Sequence, residues 1–154
     1  MELNRRTLLA GLPLLFVGTK AAARQPLPAL PPVHVVKTAT CGCCNEWVTH
    51  LRQGGFRVTV ANVPDVTPTA RRLGVPDDLR SCHTASVGGY AIEGHVPAAD
   101  IRRLLRERPA AAGIAVPGMP VGSPGMENGS YVERYSVLLF SEDGTSKVYS
   151  SYGG

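Results

Sequence analysis

Long apolar runs, aromatic residues and charge are all scarce in this 154-residue chain, and each shortage removes a class of function. The longest apolar stretch, residues 8–17, is half of the roughly 20 residues that a membrane-spanning helix needs, so no span is expected in the mature chain. The aromatics (three Phe, five Tyr, one Trp) do not interleave with the basic run Arg102, Arg103, Arg106 and Arg108. Nucleic-acid binding is therefore not implied, and these arginines, interrupted by Glu107, read as a solvated helix face. Enzyme templates are missing as well: there is no Ser-His-Asp order, phosphate-cradling glycine loop or H-E-x-x-H zinc motif. Glu93 and Glu127 make no evident acid–base pair. What the chain does have is 17 glycines and 13 prolines, which indicate much loop, and four cysteines. Three of these stand in Cys41-Gly42-Cys43-Cys44, and the fourth is Cys82, beside His83.

The N-terminus is set apart from the fold. Arg5 and Arg6 begin a positive region, residues 8–17 are apolar, and Ala21-Ala22-Ala23 offers small residues for cleavage. This is the pattern of a secretory signal peptide over residues 1–23. The paired arginines followed by Thr7-Leu8-Leu9 resemble a twin-arginine signal, with Asn4 and Leu8 departing from the usual residues, and Lys20 fits that route. An uncleaved N-terminal anchor is the alternative. Cleavage after Ala23 removes three positive charges and one negative, taking the net charge from +4 to +2. A proline-rich leader, residues 24–32, then leads onto one domain, residues 33–154.

Within that domain, residues 33–37 are short, β-branched and bounded by proline, as a strand would be. Residues 43–53 place Trp47, Val48 and Leu51 on one helical face, which Gly54-Gly55 ends. Residues 56–60 alternate like a half-buried strand, and residues 68–73 predict a short helix capped by Thr67. Residues 84–87 and 90–93 flank Gly88-Gly89, a hairpin signal. Residues 97–108 predict an amphipathic helix with Ile101, Leu104 and Leu105 inward. Residues 110–130 read as loop, and residues 135–140 and 147–152 flank Asp143-Gly144 as a second hairpin. This order is that of an α/β, thioredoxin-like βαβ-α-ββ-α core with an added C-terminal β-hairpin. The cysteine loop falls at the carboxyl end of the first strand, where open α/β sheets collect ligands. Where thioredoxin-like folds keep a cis-proline facing the reactive cysteines, this chain has Cys82-His83. That departure argues against ordinary dithiol exchange and for a metal pocket.

Thiols at a helix N-terminus are biased towards thiolate. Soft thiolates select Cu(I), zinc or iron–sulfur clusters. Adjacent cysteines such as Cys43 and Cys44 are expected to aim poorly at a single tetrahedral zinc ion, whereas Cu(I) accepts two or three thiolates and lets sulfur bridge several ions. The spacing therefore leans to copper, with zinc second and iron–sulfur third. Disulfides such as Cys41–Cys44 with Cys43–Cys82 are the alternative in an oxidising compartment. His83 is an auxiliary ligand candidate or a backbone-bonded imidazole. Met119 and Met126 are soft donors in a Gly/Pro-rich loop that can close over the cysteines, or mere cover for apolar surface. His95 reads as a local capping or packing group, and His34 and His50 as bystanders.

Together, Cys41-Gly42-Cys43-Cys44 with Trp47, Ser81-Cys82-His83-Thr84-Ala85 and Gly89-Tyr90 resemble the CopG-like proteins of copper-resistance loci. So do Glu93-Gly94-His95-Val96-Pro97, Leu104-Leu105, Pro117-Gly118-Met119-Pro120 and Gly122-Ser123-Pro124-Gly125-Met126-Glu127. The resemblance spans roughly residues 33–150. It implies a periplasmic, thioredoxin-like protein whose Cys41, Cys43, Cys44 and Cys82 hold copper, with a part in Cu(I)/Cu(II) interconversion. The expected role is Cu(I) binding, in a multinuclear site, for copper resistance, with other copper-handling proteins of the cell envelope as partners. A thiol–disulfide or copper-redox enzyme and a disulfide-stapled domain are the alternatives.

Overall fold

A computed structural model describes residues 29–154, so the expected signal peptide and most of the leader lie outside the described residues. Seven strands form one mixed sheet: β1 (Val33–Lys37), β2 (Val58–Asn62), β3 (His83–Val87), β4 (Tyr90–Glu93), β5 (Gly113–Ala115), β6 (Tyr135–Phe140) and β7 (Ser146–Tyr152). Their order across the sheet is β2-β1-β3-β4-β5-β6-β7. Three helices accompany them: α1 (Gly42–Gln53), α2 (Thr67–Arg72) and α3 (Ala98–Glu107). None of the described helices is long and apolar enough to cross a membrane.

Alternation along the strands assigns the two faces of the sheet. Val33, Val35, Ile92, Ile114 and Leu139 pack with Trp47 and Leu51 of α1 and with Ile101 and Leu104 of α3. Their sequence neighbours Ala91, Ala115 and Phe140 point the other way, to Ala70 of α2, Val75 and Leu79. The result is a sheet between two helical layers. The last turn of α1 meets the start of α3, where the Ala98 N–H donates to His50 Nε2 at 3.0 Å. His50 is thus no bystander but the group that satisfies an orphan donor at the start of α3.

Topology gathers the loops at one end of the sheet. β1 runs parallel to β2 and antiparallel to β3, with Lys37 opposite His83. β4 returns antiparallel to β3 and pairs parallel with β5, with Glu93 opposite both Thr84 and Ala115. The segments after β1, before β3, after β4 and after β5 therefore all emerge together. These carry Cys41 to Cys44, Cys82, His95 and residues 116–127 respectively.

Three expectations are corrected. Residues 110–130 are not loop throughout: Gly113–Ala115 is a strand, sharing bonds with β4 and β6. It is what joins the C-terminal hairpin to the rest of the sheet. The second strand begins two residues later than expected and is an edge strand, with Val60 39% exposed, while Phe56 enters the core from the turn before it. Thr67 does not cap α2; the Asp65 side chain accepts the Thr67 N–H at 2.9 Å instead.

The hairpin of β6 and β7 is tied to α3 by Asp100, a buried carboxylate in the first turn of that helix. It accepts the Ser150 hydroxyl at 2.5 Å and the Tyr152 hydroxyl at 2.6 Å. Removing it leaves two partly buried hydroxyls unpaired. Asp100→Ala is expected to lower stability by about 2–4 kcal/mol in urea unfolding, and Tyr152→Phe by about 1–2 kcal/mol. Losses below about 0.5 kcal/mol for Asp100→Ala would contradict this role.

Candidate metal centre

The helix that follows the cysteine loop begins without help from side chains. Cys41 is the N-cap, it makes no side-chain capping bond, and no acidic residue stands in the first turn of α1. The first N–H groups and the helix dipole therefore face the thiols, an arrangement that favours anionic sulfur. Cys44 is buried on the inner face of α1, while Cys41, Cys43 and Cys82 are half-buried.

All four Sγ atoms lie within 4.8 Å of one another. Cys41 and Cys44 are joined by a disulfide, and Cys43 and Cys82 are free. Cys41 Sγ is 3.6 Å from Cys43 Sγ, and Cys82 Sγ is 3.6 Å from Cys44 Sγ and 3.9 Å from Cys43 Sγ. Two sulfurs bound at about 2.3 Å to one tetrahedral ion stand about 3.8 Å apart, so the donor set has the spacing of a metal site. Cys43 and Cys44, expected to aim poorly at a single tetrahedral ion, both bring their sulfurs within 4 Å of Cys82 Sγ. The first turn of the helix folds both sulfurs back towards Cys82. Of the two disulfides weighed from the sequence, only Cys41–Cys44 is formed.

Cys82 is held from both flanks by one buried carboxylate. Glu93, fully buried at the end of β4, accepts the Ser81 N–H at 2.7 Å and the Thr84 hydroxyl at 2.5 Å. Arg80 lies 3.8 Å from the same carboxylate. Burial pushes the Glu93 carboxyl up from its ordinary value, and the Thr84, Ser81 and Arg80 interactions oppose that shift. Burial, with the neighbouring Cys43 as second cause, pushes the Cys82 thiol up to about 12. Cys82 therefore keeps its proton at neutral pH until something displaces it.

His83 and His95 are both fully buried, and both reach Cys82. Its Sγ is 3.3 Å from His83 Nδ1 and 3.2 Å from His95 Nε2. The reading of His95 as a local capping or packing group is corrected: its ring lies against the sulfur, with Nδ1 bonded to the Pro124 carbonyl at 2.8 Å. The available signal was its place in Glu93-Gly94-His95-Val96-Pro97, directly beyond a strand end shared with Cys82. The His83 ring lies against Trp47, whose indole N–H donates to the Val96 carbonyl. His34 bonds to Thr59, on the second strand.

The Gly/Pro-rich loop touches both cysteine segments. The Ser81 hydroxyl donates to the Gly118 carbonyl, and the Gly118 N–H donates to the Arg80 carbonyl at 3.2 Å. At the second Pro-Gly-Met, Gly125 has φ +86° and sits so close to α1 that a Cβ would lie 2.7 Å from the Cys43 carbonyl oxygen. Each repeat thus seats on one side of the thiols. Met119, in the first, is 52% exposed, and Met126, in the second, is half-buried.

Two outcomes follow. Glu93→Ala leaves Ser81 N–H and Thr84 hydroxyl without their acceptor and is expected to cost about 2–6 kcal/mol in denaturant unfolding. Glu93→Gln, which retains an acceptor, should cost less, and equal effects would contradict the role. Burial holds His83 near 3 and shifts His50 and His95 downward. Unfolded, these imidazoles protonate near pH 6.5, so the unfolded chain binds more protons below that value. Stability is therefore present in full above about pH 6.5 and lost as pH falls towards the folded values. The urea midpoint of the metal-free protein should fall steadily from about pH 7 to about pH 5, and a flat profile would contradict neutral buried imidazoles.

Residues 79–126, from Leu79 through Cys82 to Met126, match a family model described as a protein of unknown function, DUF411. No curated protein matches the chain. A solved structure named copper resistance protein CopG, form 1, is 46% identical, with a TM-score of 0.77 over 81% of this chain and 99% of its own. Form 2 is likewise 46% identical, with a TM-score of 0.76 over 80% and 98%. With that identity over nearly the whole of those chains, this protein belongs to the family of copper resistance protein CopG.

Proposed function

We propose that the chain is an exported copper-binding protein that holds Cu(I) through Cys41, Cys43, Cys44 and Cys82. Its contribution to copper resistance is to sequester the ion or to interconvert Cu(I) and Cu(II). The observation that carries this reading is the convergence of four sulfurs within 4.8 Å of one another, in a chain similar to structures named for copper resistance. The sulfur spacing would suit zinc equally, so the choice of copper rests on those relatives and on thiolate softness. Met119 and Met126 are auxiliary donors in this reading, each on a loop segment seated beside a cysteine. Copper-handling proteins of the envelope are the proposed partners. The features of residues 1–23 support export to the periplasm, as does a disulfide, which persists in oxidising compartments.

We read the β2-β1-β3-β4 order, with α1 crossing between the parallel strands and α3 following β4, as a thioredoxin-like core. Cys82 then occupies the place of the proline that faces a dithiol. A redox component is favoured by the Cys41–Cys44 bond itself. Its formation from two thiols releases two electrons and two protons, which balances the reduction of two Cu(II) to two Cu(I). Conversely, loading four thiolates requires that bond to be reduced and the Cys82 proton to leave.

Anaerobic titration of the reduced protein is expected to take up more than one Cu(I) per chain with proton release, falling sharply in Cys82→Ser. The oxidised protein, with Cys41 and Cys44 joined, should bind fewer ions. Uptake of a single zinc ion with copper refused would overturn the reading.

A further inference from the structure

The two edges of the sheet are built differently. β7 carries Lys147, and its register with β6 shifts between Val137 and Leu138. A charged side chain and a bulge are two ways in which an edge strand resists further pairing. β2, at the other edge, has neither. Val58-Thr59-Val60-Ala61-Asn62 holds no charge and no proline, and its register with β1 is unbroken. Val60, at its middle, is 39% exposed.

The backbone of β2 divides its residues into two sets. The Arg57 carbonyl accepts the Val33 N–H, and the Val63 N–H donates to the Lys37 carbonyl, both at 2.9 Å. In a parallel ladder the groups that face a neighbouring strand belong to alternate residues. Arg57, Thr59, Ala61 and Val63 therefore face β1, and Val58, Val60 and Asn62 turn their N–H and C=O groups outward. Among the described residues these outward groups have one partner, the exposed Arg52 guanidinium, 3.4 Å from the Val58 carbonyl.

We propose that β2 is a docking edge for a second copy of this chain, the two β2 strands pairing antiparallel about a two-fold axis at Val60. The outward residues are symmetric about that point. Val60 exchanges both of its bonds with its own counterpart, and Val58 exchanges both of its bonds with Asn62 on either side. No outward N–H is left without a carbonyl. The charges at the strand ends agree with this direction, since Arg57 precedes β2 and Asp65 follows it. Antiparallel pairing sets each Arg57 diagonal to the partner's Asp65, within reach of a long side chain. The chain's own leader does not suit the place, because Pro26, Pro28, Pro31 and Pro32 have no N–H to give to a ladder. A contact this small makes a weak, reversible pair. It leaves both thiol clusters open, because β1 runs with β2 and the two copies therefore present their cysteine loops at opposite ends of the joined sheet.

The mature chain, kept reduced so that no intermolecular disulfide forms, tests this by sedimentation velocity and amide hydrogen exchange. Concentrations of about 20 µM and about 1 mM bracket what a small interface supports. The expected result is a concentration-dependent dimer in which exchange at the Val58, Val60 and Asn62 amides slows at least about threefold, while Thr59 and Ala61 are slow throughout. Val60→Lys sets two ammonium groups opposite each other on the axis and is expected to stay monomeric at about 1 mM. An unmutated chain that stays monomeric would overturn the proposal. So would a dimer without slowing at those three amides, which puts the contact elsewhere, or slowing independent of concentration, which marks an occupant from the same chain. The amides are read in the unmutated protein, so a variant that fails to fold does not decide the matter.

Discussion

The antiparallel pairing that sets Lys37 opposite His83 decides where every sulfur in this protein can lie. It brings the carboxyl end of β1 and the amino end of β3 to the same edge of the sheet. One of these ends opens into Cys41 to Cys44 and the other is preceded by Cys82. A shift of one residue in that register would turn alternate side chains to the opposite face and carry the buried Val33 and Val35 out of the core. The hydrophobic pattern of β1 therefore defends the position of thiols it does not contact.

Around that pairing the centre is layered by chemistry. On the outer side are thiols at the unassisted start of α1, where the helix favours negative charge. On the inner side are two fully buried imidazoles, an indole and a carboxylate. Glu93 spans the layers: it holds the segment on either side of Cys82 through Ser81 and Thr84. A buried carboxylate with an arginine beside it is an expensive device for placing one loop. Its position explains why the loop needs one, since Arg80 to Cys82 has no strand partner of its own and borrows bonds from Glu93 and Gly118.

Much of this was legible in the sequence, for identifiable reasons. β1, the Gly88-Gly89 hairpin and α3 announce themselves by alternation, turn residues and helical periodicity, all local properties. β5 does not, because three residues beginning with Gly113 carry no pattern, and the strand exists only through bonds to β4 and β6. Asp65 capping α2 and His50 capping α3 were overlooked for related reasons, the first hidden by a better-looking Thr67 and the second by a long separation in sequence. At the site, strand order alone puts Cys82 near the other cysteines. The approach of Cys43 and Cys44 to it depends on how the first turn of α1 winds, which spacing rules for metal ligands do not express. His95 depends on a contact 29 residues away with the Pro124 carbonyl, and nothing in its neighbours foretells that orientation.

The loop that supplies that carbonyl is strung between two strands of one sheet, β5 and β6. Its ends are anchored, and its middle is seated on α1 and on Arg80–Ser81 through groups other than sulfur. The entropy of ordering it is settled when the chain folds. The Pro124 carbonyl and the His95 ring it holds are thus in place before anything binds, and no binding free energy is diverted to arranging them.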